Sequence, residues 1–203
     1  MKTNHSLASV VTAGVLAAIS LGATTSAWAT PVTYYAVLNG AAEAPPNASP
    51  GIGQTTVTYD SMLHTLQVQV DFSGLLGTVT AAHIHCCTAV PGVGTAGVAT
   101  ITPTFTGFPS GVTFGTYDHT FDLTMLGAFN PAFVTANGGT FATAEAVLAA
   151  GLAADKAYLN IHTSVVPAGE IRGFLVPEPA SMALLGLGLF GLAASRRCTR
   201  RQA

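Results

Sequence analysis

Apolar and polar residues alternate with a period of two along much of the middle of the chain. The clearest run is residues 65–72, and residues 116–123 alternate in the same way. In an extended strand, alternate side chains share a face, so one half of each run is predicted to be buried. In the first run the predicted core positions are Leu66, Val68, Val70 and Phe72.

Short β-type segments of this kind recur between turns rich in Gly, Pro and Asn. The predicted strands are 33–38, 54–59, 65–72, 79–85, 98–105, 116–123, 157–163 and 170–175. Asn130 and Pro131 predict the start of one short helix, and Thr143 is predicted to cap a second over 144–150 that ends at Gly151. The pattern predicts an all-β fold, an antiparallel Greek-key sandwich or barrel with one or two short helices.

The N-terminal segment has the pattern of a targeting sequence. Residues 1–29 begin with Lys2, continue as an apolar run and end in Ala27-Trp28-Ala29. A positive start, an apolar stretch and a small-x-small site predict a secretory signal peptide that signal peptidase cleaves after Ala29. A retained anchor is the alternative, which the polar dilution of the run and the cleavage site disfavour.

The C-terminal segment 177–203 has three parts. Pro177-Glu178-Pro179 comes first, the apolar stretch 180–194 follows, and an arginine cluster lies near the end. This tail resembles the PEP-CTERM sorting signal of Gram-negative bacteria. The resemblance implies transient anchoring in the inner membrane by a C-terminal transmembrane helix. Cleavage by an exosortase-type protease and transfer to the cell surface or extracellular matrix would follow.

The remaining residues 30–176 form one predicted domain, which is long enough to bury a hydrophobic core. Charged residues make up only 8% of the whole chain, against about 25% in typical soluble domains, and the formal net charge is −2. Because the chain offers no basic patch, we expect no nucleic-acid partner. A surface covered with small polar residues suits an exported protein that meets extracellular polysaccharide or matrix proteins.

Several short motifs follow one another in a fixed order. They are E-x-P-P at 43–46, A-A-H-I-H at 81–85, N-I-H-T at 160–163 and G-E-I-R-G at 169–173. This order closely resembles the CHRD domain, first recognised as repeats in chordin, over residues 34–175. The resemblance implies an extracellular all-β domain without an established catalytic activity. Members of that family usually follow H-I-H with a small turn such as Gly-Pro, whereas this chain has Cys86-Cys87.

Three histidines are candidates for a metal site. His83 and His85 share one face of their predicted strand, and His162 stands in the second motif. Two histidines at i and i+2 with a third from a neighbouring strand suit copper or zinc, and Cu/Zn superoxide dismutases use H-x-H on a β-sandwich in this manner. The alternative is a buried polar cluster whose imidazoles bond other side chains or backbone carbonyls and fix the strand pairing.

Five polar residues in or near these motifs are candidates to support either arrangement. They are Glu43, Asn160, Thr163, Glu170 and Arg172. Arg172 is the only arginine of residues 30–176, and both Glu43 and Glu170 are candidate partners for it, because a buried charge needs a partner. Glu170 has a second predicted role, in which its carboxylate orients a histidine.

Cys86 and Cys87 directly follow His85, and export implies an oxidising compartment. They are candidates for a vicinal disulfide, a soft-metal site, a bond between chains or free thiols. Their spacing fits none of the structural zinc patterns such as C-x₂-C.

The sequence has no nucleophile elbow, phosphate-binding loop or H-E-x-x-H motif. We therefore expect a non-catalytic module that acts in adhesion, assembly or binding at the envelope surface or in the matrix. The alternative is a copper- or zinc-binding envelope protein with redox activity, in the extreme a metalloenzyme like superoxide dismutase. Such a dismutase needs more histidine ligands than residues 30–176 supply.

Overall fold

A computed structural model describes residues 30–178, and within them eight strands form one antiparallel sheet curled into a half-barrel. The strands are β1 Val32–Asn39, β2 Ile52–Asp60, β3 Thr65–Ser73, β4 Val79–His85, β5 Gly115–Asp122, β6 Tyr158–Thr163, β7 Ile171–Phe174 and β8 Val176–Pro177. Their order across the sheet is β4-β6-β7-β1-β2-β3-β5, with β8 beside β1. The predicted all-β antiparallel class is confirmed, and the single curled sheet is of the barrel kind.

The alternation in β3 places its apolar residues in the core as predicted. Leu66 and Val68 are 0% exposed, Val70 is 2% exposed and Phe72 is 4% exposed. β3 pairs with β2 and β5 over almost its whole length, so its register fixes the neighbouring strands. A one-residue slip would turn every apolar side chain of β3 to the other face.

The domain also has two α-helices, α1 at Pro131–Ala136 and α2 at Phe141–Ala153, and two single-turn 3-10 helices at Gly40–Ala42 and Leu126–Ala128. Helix α1 begins as predicted, with the Asn130 side chain accepting a hydrogen bond from the backbone N–H of Ala132. The predicted start of α2 is wrong. Thr140 is its N-cap, and Thr140 and Thr143 form a reciprocal capping box, so that Thr143 lies inside the first turn.

The predicted strand over 98–105 is also wrong, although this segment follows β4. The hydroxyls of Thr100 and Thr104 accept the backbone N–H groups of Ile84 and Ala82, each at 2.9 Å. The segment's β-pairing is limited to two isolated bridges, between Val98 and His85 of β4 and between Thr100 and Phe129. Side-chain hydroxyls thus replace the backbone carbonyls that a regular strand would offer to β4.

Both predicted targeting segments lie largely outside the described residues. The signal peptide at 1–29 and the C-terminal hydrophobic helix fall there, together with Pro179, whereas Pro177 and Glu178 are described. Within residues 30–178, no helix has the length and apolar character needed to cross a membrane.

Candidate metal centre

The three strands β4, β6 and β7 have one apolar and one polar face. The apolar face, which includes Ile84, Ile161 and Ile171, is fully buried in the core. The side chains of the opposite face are His83, His85, Tyr158, Asn160, His162, Arg172 and Phe174. Strand alternation puts these residues on one side of the sheet, and loops from elsewhere in the chain cover them.

The polar face brings the three predicted histidines together. His83 and His85 come from β4 and His162 from β6, where Ala81 is its partner across the strands. The ring centroids are 5.3 to 5.8 Å apart, and one nitrogen from each ring lies within 4.8 Å of the other two. We call these residues the histidine triad.

Backbone carbonyls fix the tautomer of every ring in the triad. Nε2 of His83 donates to the Pro103 carbonyl at 2.6 Å, and Nδ1 of His85 donates to the Ala96 carbonyl at 2.9 Å. Nδ1 of His162 donates to the Pro167 carbonyl at 3.0 Å. A carbonyl oxygen can only accept a hydrogen bond, so each of these nitrogens carries the ring proton. The other nitrogen of each ring is unprotonated and has a free lone pair, and we call it the bare nitrogen.

The bare nitrogens are buried, and none has a hydrogen-bond partner within residues 30–178. They are Nδ1 of His83, Nε2 of His85 and Nε2 of His162. Buried polar atoms are normally paired, so three unpaired acceptors on neighbouring rings are unusual. Metal-binding histidines typically have this arrangement, with the ligand nitrogen free and the other ring N–H donated to a carbonyl.

Electrostatics keeps the triad neutral. Burial lowers the pKa of all three imidazoles and outweighs the carbonyl hydrogen bonds, which act in the opposite direction. The effect is largest for His85, whose pKa falls to about 4, with further lowering by the charges of His162, His83 and Arg172. Neutral imidazole is the form that binds metal ions.

The triad is slightly wider than a metal-loaded site. An ion with ~2.0–2.1 Å bonds to nitrogen needs ligand nitrogens about 3.3–3.6 Å apart in trigonal or tetrahedral geometry. Nitrogens that lie up to 4.8 Å apart must therefore approach one another by up to about 1.2–1.5 Å to reach that spacing. Three imidazoles with one open position suit zinc or copper.

Comparison with known proteins supports the reading of the motifs. Residues 34–175 match the model of the CHRD domain. The chain belongs to the CHRD domain family. Residues 175–197 match the PEP-CTERM protein-sorting motif, so this CHRD protein carries the signal for processing by an exosortase-type system and export to the cell envelope or surface. No curated protein and no solved structure shows significant similarity to the chain.

The polar residues of the CHRD domain divide into two groups, of which the first lies beside the triad. Arg172 has its Nε 3.7 Å from a carboxylate oxygen of Glu43, which confirms the Glu43 pairing. Its guanidinium lies 4.7 Å from the ring centre of Tyr158, and that ring in turn stacks on His85 at 4.8 Å. Asn160 pairs with both His83 and Arg172 across the strands.

The second group lies away from the triad. Glu170 accepts hydrogen bonds from Ser49 and Thr163 hydroxyls, both at 2.6 Å, and from the N–H groups of Leu76 and Gly77. Within residues 30–178 its carboxylate bonds no histidine and is not the partner of Arg172. Of its predicted roles, the structural one fits, because Glu170 fastens two loops to the end of β6.

Cys86 and Cys87 form a vicinal disulfide, with their Cα atoms 3.0 Å apart. Of the alternatives that the sequence left open, the structure therefore has the intrachain bond. The pair follows the triad residue His85 directly, but Cys86 is buried among core residues, on the side opposite to the histidine ring.

No sequence pattern indicated the groups that orient the triad. Three of them are backbone carbonyls, of Ala96, Pro103 and Pro167, and every residue type has such a carbonyl. Tyr158 was also missed, although its position two residues before Asn160 places it on the same strand face.

Proposed function

We propose that this exported CHRD domain is a metal-binding module that holds copper or zinc with His83, His85 and His162. The observation that carries the proposal is that three clustered histidine rings each have one buried imidazole nitrogen without a hydrogen-bond partner. The other nitrogen of each ring carries a proton and donates a hydrogen bond to a backbone carbonyl. The triad is therefore oriented for an occupant that accepts three lone pairs, as a transition-metal ion does.

The competing interpretation is a purely structural cluster, and hydrogen-bond accounting disfavours it. A structural cluster should satisfy its own buried groups, since an unpaired buried acceptor costs about 1–3 kcal/mol. An ordered water molecule has only two O–H donors and would leave at least one of the three nitrogens unpaired. A metal ion satisfies all three at once.

The test is a zinc and copper titration of the chelator-treated exported protein by calorimetry, with His162→Ala as the probe. We expect the wild type to bind one ion per domain, and His162→Ala to bind about 100-fold more weakly or worse, because even residues that only orient ligands are worth about 10–100-fold. His119→Ala is the matched control. His119 lies on β5, packed against Phe121, and we expect wild-type affinity from that variant.

Denaturant unfolding of the same proteins without metal separates the two interpretations. A ligand triad predicts that His162→Ala leaves the metal-free stability nearly unchanged. A structural cluster predicts a loss of roughly 1–3 kcal/mol in the variant and no metal binding in the wild type. That second pattern would end the proposal.

The adhesion or assembly role expected from the sequence stays a prediction, as does the expectation that the protein is not an enzyme. Metal binding is compatible with both. Elemental analysis of the protein taken from its native envelope, without added metal or chelator, would identify the ion.

A further inference from the structure

The disulfide lies at a surface that reagents can reach. Cys86 is 5% exposed, whereas Cys87 belongs to the exposed residues. Both line a surface cleft of about 410 Å³ whose walls include Phe133, Asn137 and Val147. A thiol in solution therefore has access to the Cys87 side of the bond, while the Cys86 side is covered.

Helix α2 packs closely against the disulfide and also contributes Val147 to the wall of the cleft. A β-carbon at Gly151 would collide with the sulfur atoms of both cysteines. The sequence predicted that Gly151 ends the helix, but the helix runs on to Ala153. This glycine is needed for the close approach of the two sulfurs to the helix backbone.

Consecutive backbone bonds connect the disulfide to the triad. The Cys86 N–H donates to the Gly97 carbonyl at 3.0 Å, and the His85 ring donates to the adjacent Ala96 carbonyl at 2.9 Å. A shift of Cys86 therefore moves both His85 and the peptide that orients its ring. The sulfurs themselves cannot replace a histidine ligand, because Cys86 faces the core side of the strand.

We propose that Cys86–Cys87 is a thiol–disulfide exchange site whose redox state sets the metal affinity of the triad. The substrate class is an external dithiol. Its thiolate enters the cleft and attacks the Cys87 sulfur, the S–S bond breaks, and Cys86 leaves as a thiolate that takes up a proton. The second thiol of the reagent then attacks the mixed disulfide and releases Cys87 as a thiol, so two electrons and two protons pass to the protein.

Reduction opens the covalent ring beside His85. The end of β4 then loses a constraint that holds one of three ligands in place, and pre-organised ligands bind more tightly than mobile ones. The oxidised form is the high-affinity form. The exchange reaction stands on the disulfide alone, whereas its effect on affinity rests on the proposed metal function.

The experiment compares the exported protein in three forms, each titrated with Zn²⁺ after chelator treatment. The first is oxidised wild type. The second is wild type reduced with dithiothreitol without denaturant and freed of reagent under nitrogen, with alkylation and mass spectrometry to locate the new thiols. The third is the double variant Cys86→Ser/Cys87→Ser, in which the ring is always open and no thiol can bind zinc.

We expect alkylation at Cys86 and Cys87, a zinc affinity at least about 10-fold lower in the reduced protein, and recovery on reoxidation. The double variant should have the low affinity with or without dithiothreitol treatment, which makes it the matched control. If circular dichroism shows that the double variant is unfolded, the reversible change in the zinc affinity of the wild type tests the proposal without it.

Three results would overturn the inference. Resistance of the disulfide to dithiothreitol in the folded protein rules out the exchange site. Equal zinc affinity in the oxidised and reduced wild type rules out the coupling and leaves the proposed metal function in place. Absence of zinc binding in every form overturns the coupling, and together with a negative copper titration of the wild type it also defeats the proposed function.

Discussion

At the scale of single residues, two buried carboxylates respond to their surroundings in opposite ways. Burial raises the pKa of Glu43 to about 7, although Arg172, the Ala44 N–H and the Asn160 amide all lower it. Burial also raises the pKa of Glu170, but its four hydrogen-bond donors outweigh this and hold the pKa below its usual range. Glu43 therefore titrates near neutral pH beside the triad, whereas Glu170 remains ionised.

Glu43→Gln tests this difference through the pH dependence of stability. Because the pKa of Glu43 is higher in the folded than in the unfolded protein, protonation of Glu43 stabilises the fold. The stabilisation is complete below the unfolded value near 4.5 and is lost as the pH rises through about 7. We expect the free energy of unfolding of the wild type, relative to Glu43→Gln, to fall by up to about 3 kcal/mol between pH 5 and pH 8 in metal-free protein.

Glu170→Gln is the contrasting variant. Because its pKa is lowered in the fold, its contribution is present above the unfolded value and is lost as the pH falls through the folded one. Denaturant unfolding across pH 3–8 measures both differences. If the free energy of unfolding relative to wild type changed with pH in the same way for both variants, the environments assigned to Glu43 and Glu170 would be contradicted.

At the scale of elements, β3 is the strand on which the sheet depends. It pairs with β2 on one side and β5 on the other, and its four apolar residues are almost fully buried. Residues of the opposite face bond across the strands instead, as when Gln67 and Gln69 donate to Asp118. The element therefore separates a dry face from a solvated one.

Val68→Asp should destabilise the domain by several kcal/mol, since it places an unpaired carboxylate where the native side chain is 0% exposed. Ser73→Asp puts the same charge at an exposed position of the same strand and should change stability by about 0.5 kcal/mol or less. Urea unfolding of both variants is the measurement. Wild-type stability in Val68→Asp would refute the register of β3.

At the scale of the whole molecule, the CHRD domain runs directly into its sorting motif. Val176 and Pro177 form β8, which pairs with Tyr35 and Tyr34 of β1. The Glu178 N–H continues the pairing with the Thr33 carbonyl at 3.2 Å. The start of the motif is thus part of the sheet, next to the strand that follows the predicted signal-peptide cleavage site.

Processing at both ends is predicted for the exported protein. Its intact mass should correspond to a chain that begins at Thr30 and lacks residues 180–203, because signal peptidase and an exosortase-type protease remove the targeting segments. A triple alanine replacement of Pro177, Glu178 and Pro179 should retain the tail. A wild-type mass that still includes residues 180–203 would contradict the processing.

Features that depend on local geometry could be predicted from the amino-acid sequence. Alternation in an extended chain is a property of neighbouring residues, so the buried face of β3 and the shared face of His83 and His85 were predictable. The targeting pattern at the C-terminus is likewise a linear signal, and the family match agrees with it.

Which polar groups meet, by contrast, depends on the packing of segments that are distant in the chain. Carbonyls of Ala96 and Pro103 from the β4–β5 connection, and of Pro167 from the β6–β7 loop, leave one nitrogen bare on each histidine, which no local pattern encodes. Arg172 pairs with Glu43 rather than with its neighbour Glu170, because loop donors already satisfy the latter. Hydrogen-bond partners are chosen by three-dimensional proximity, and that depends on how distant segments pack over the sheet.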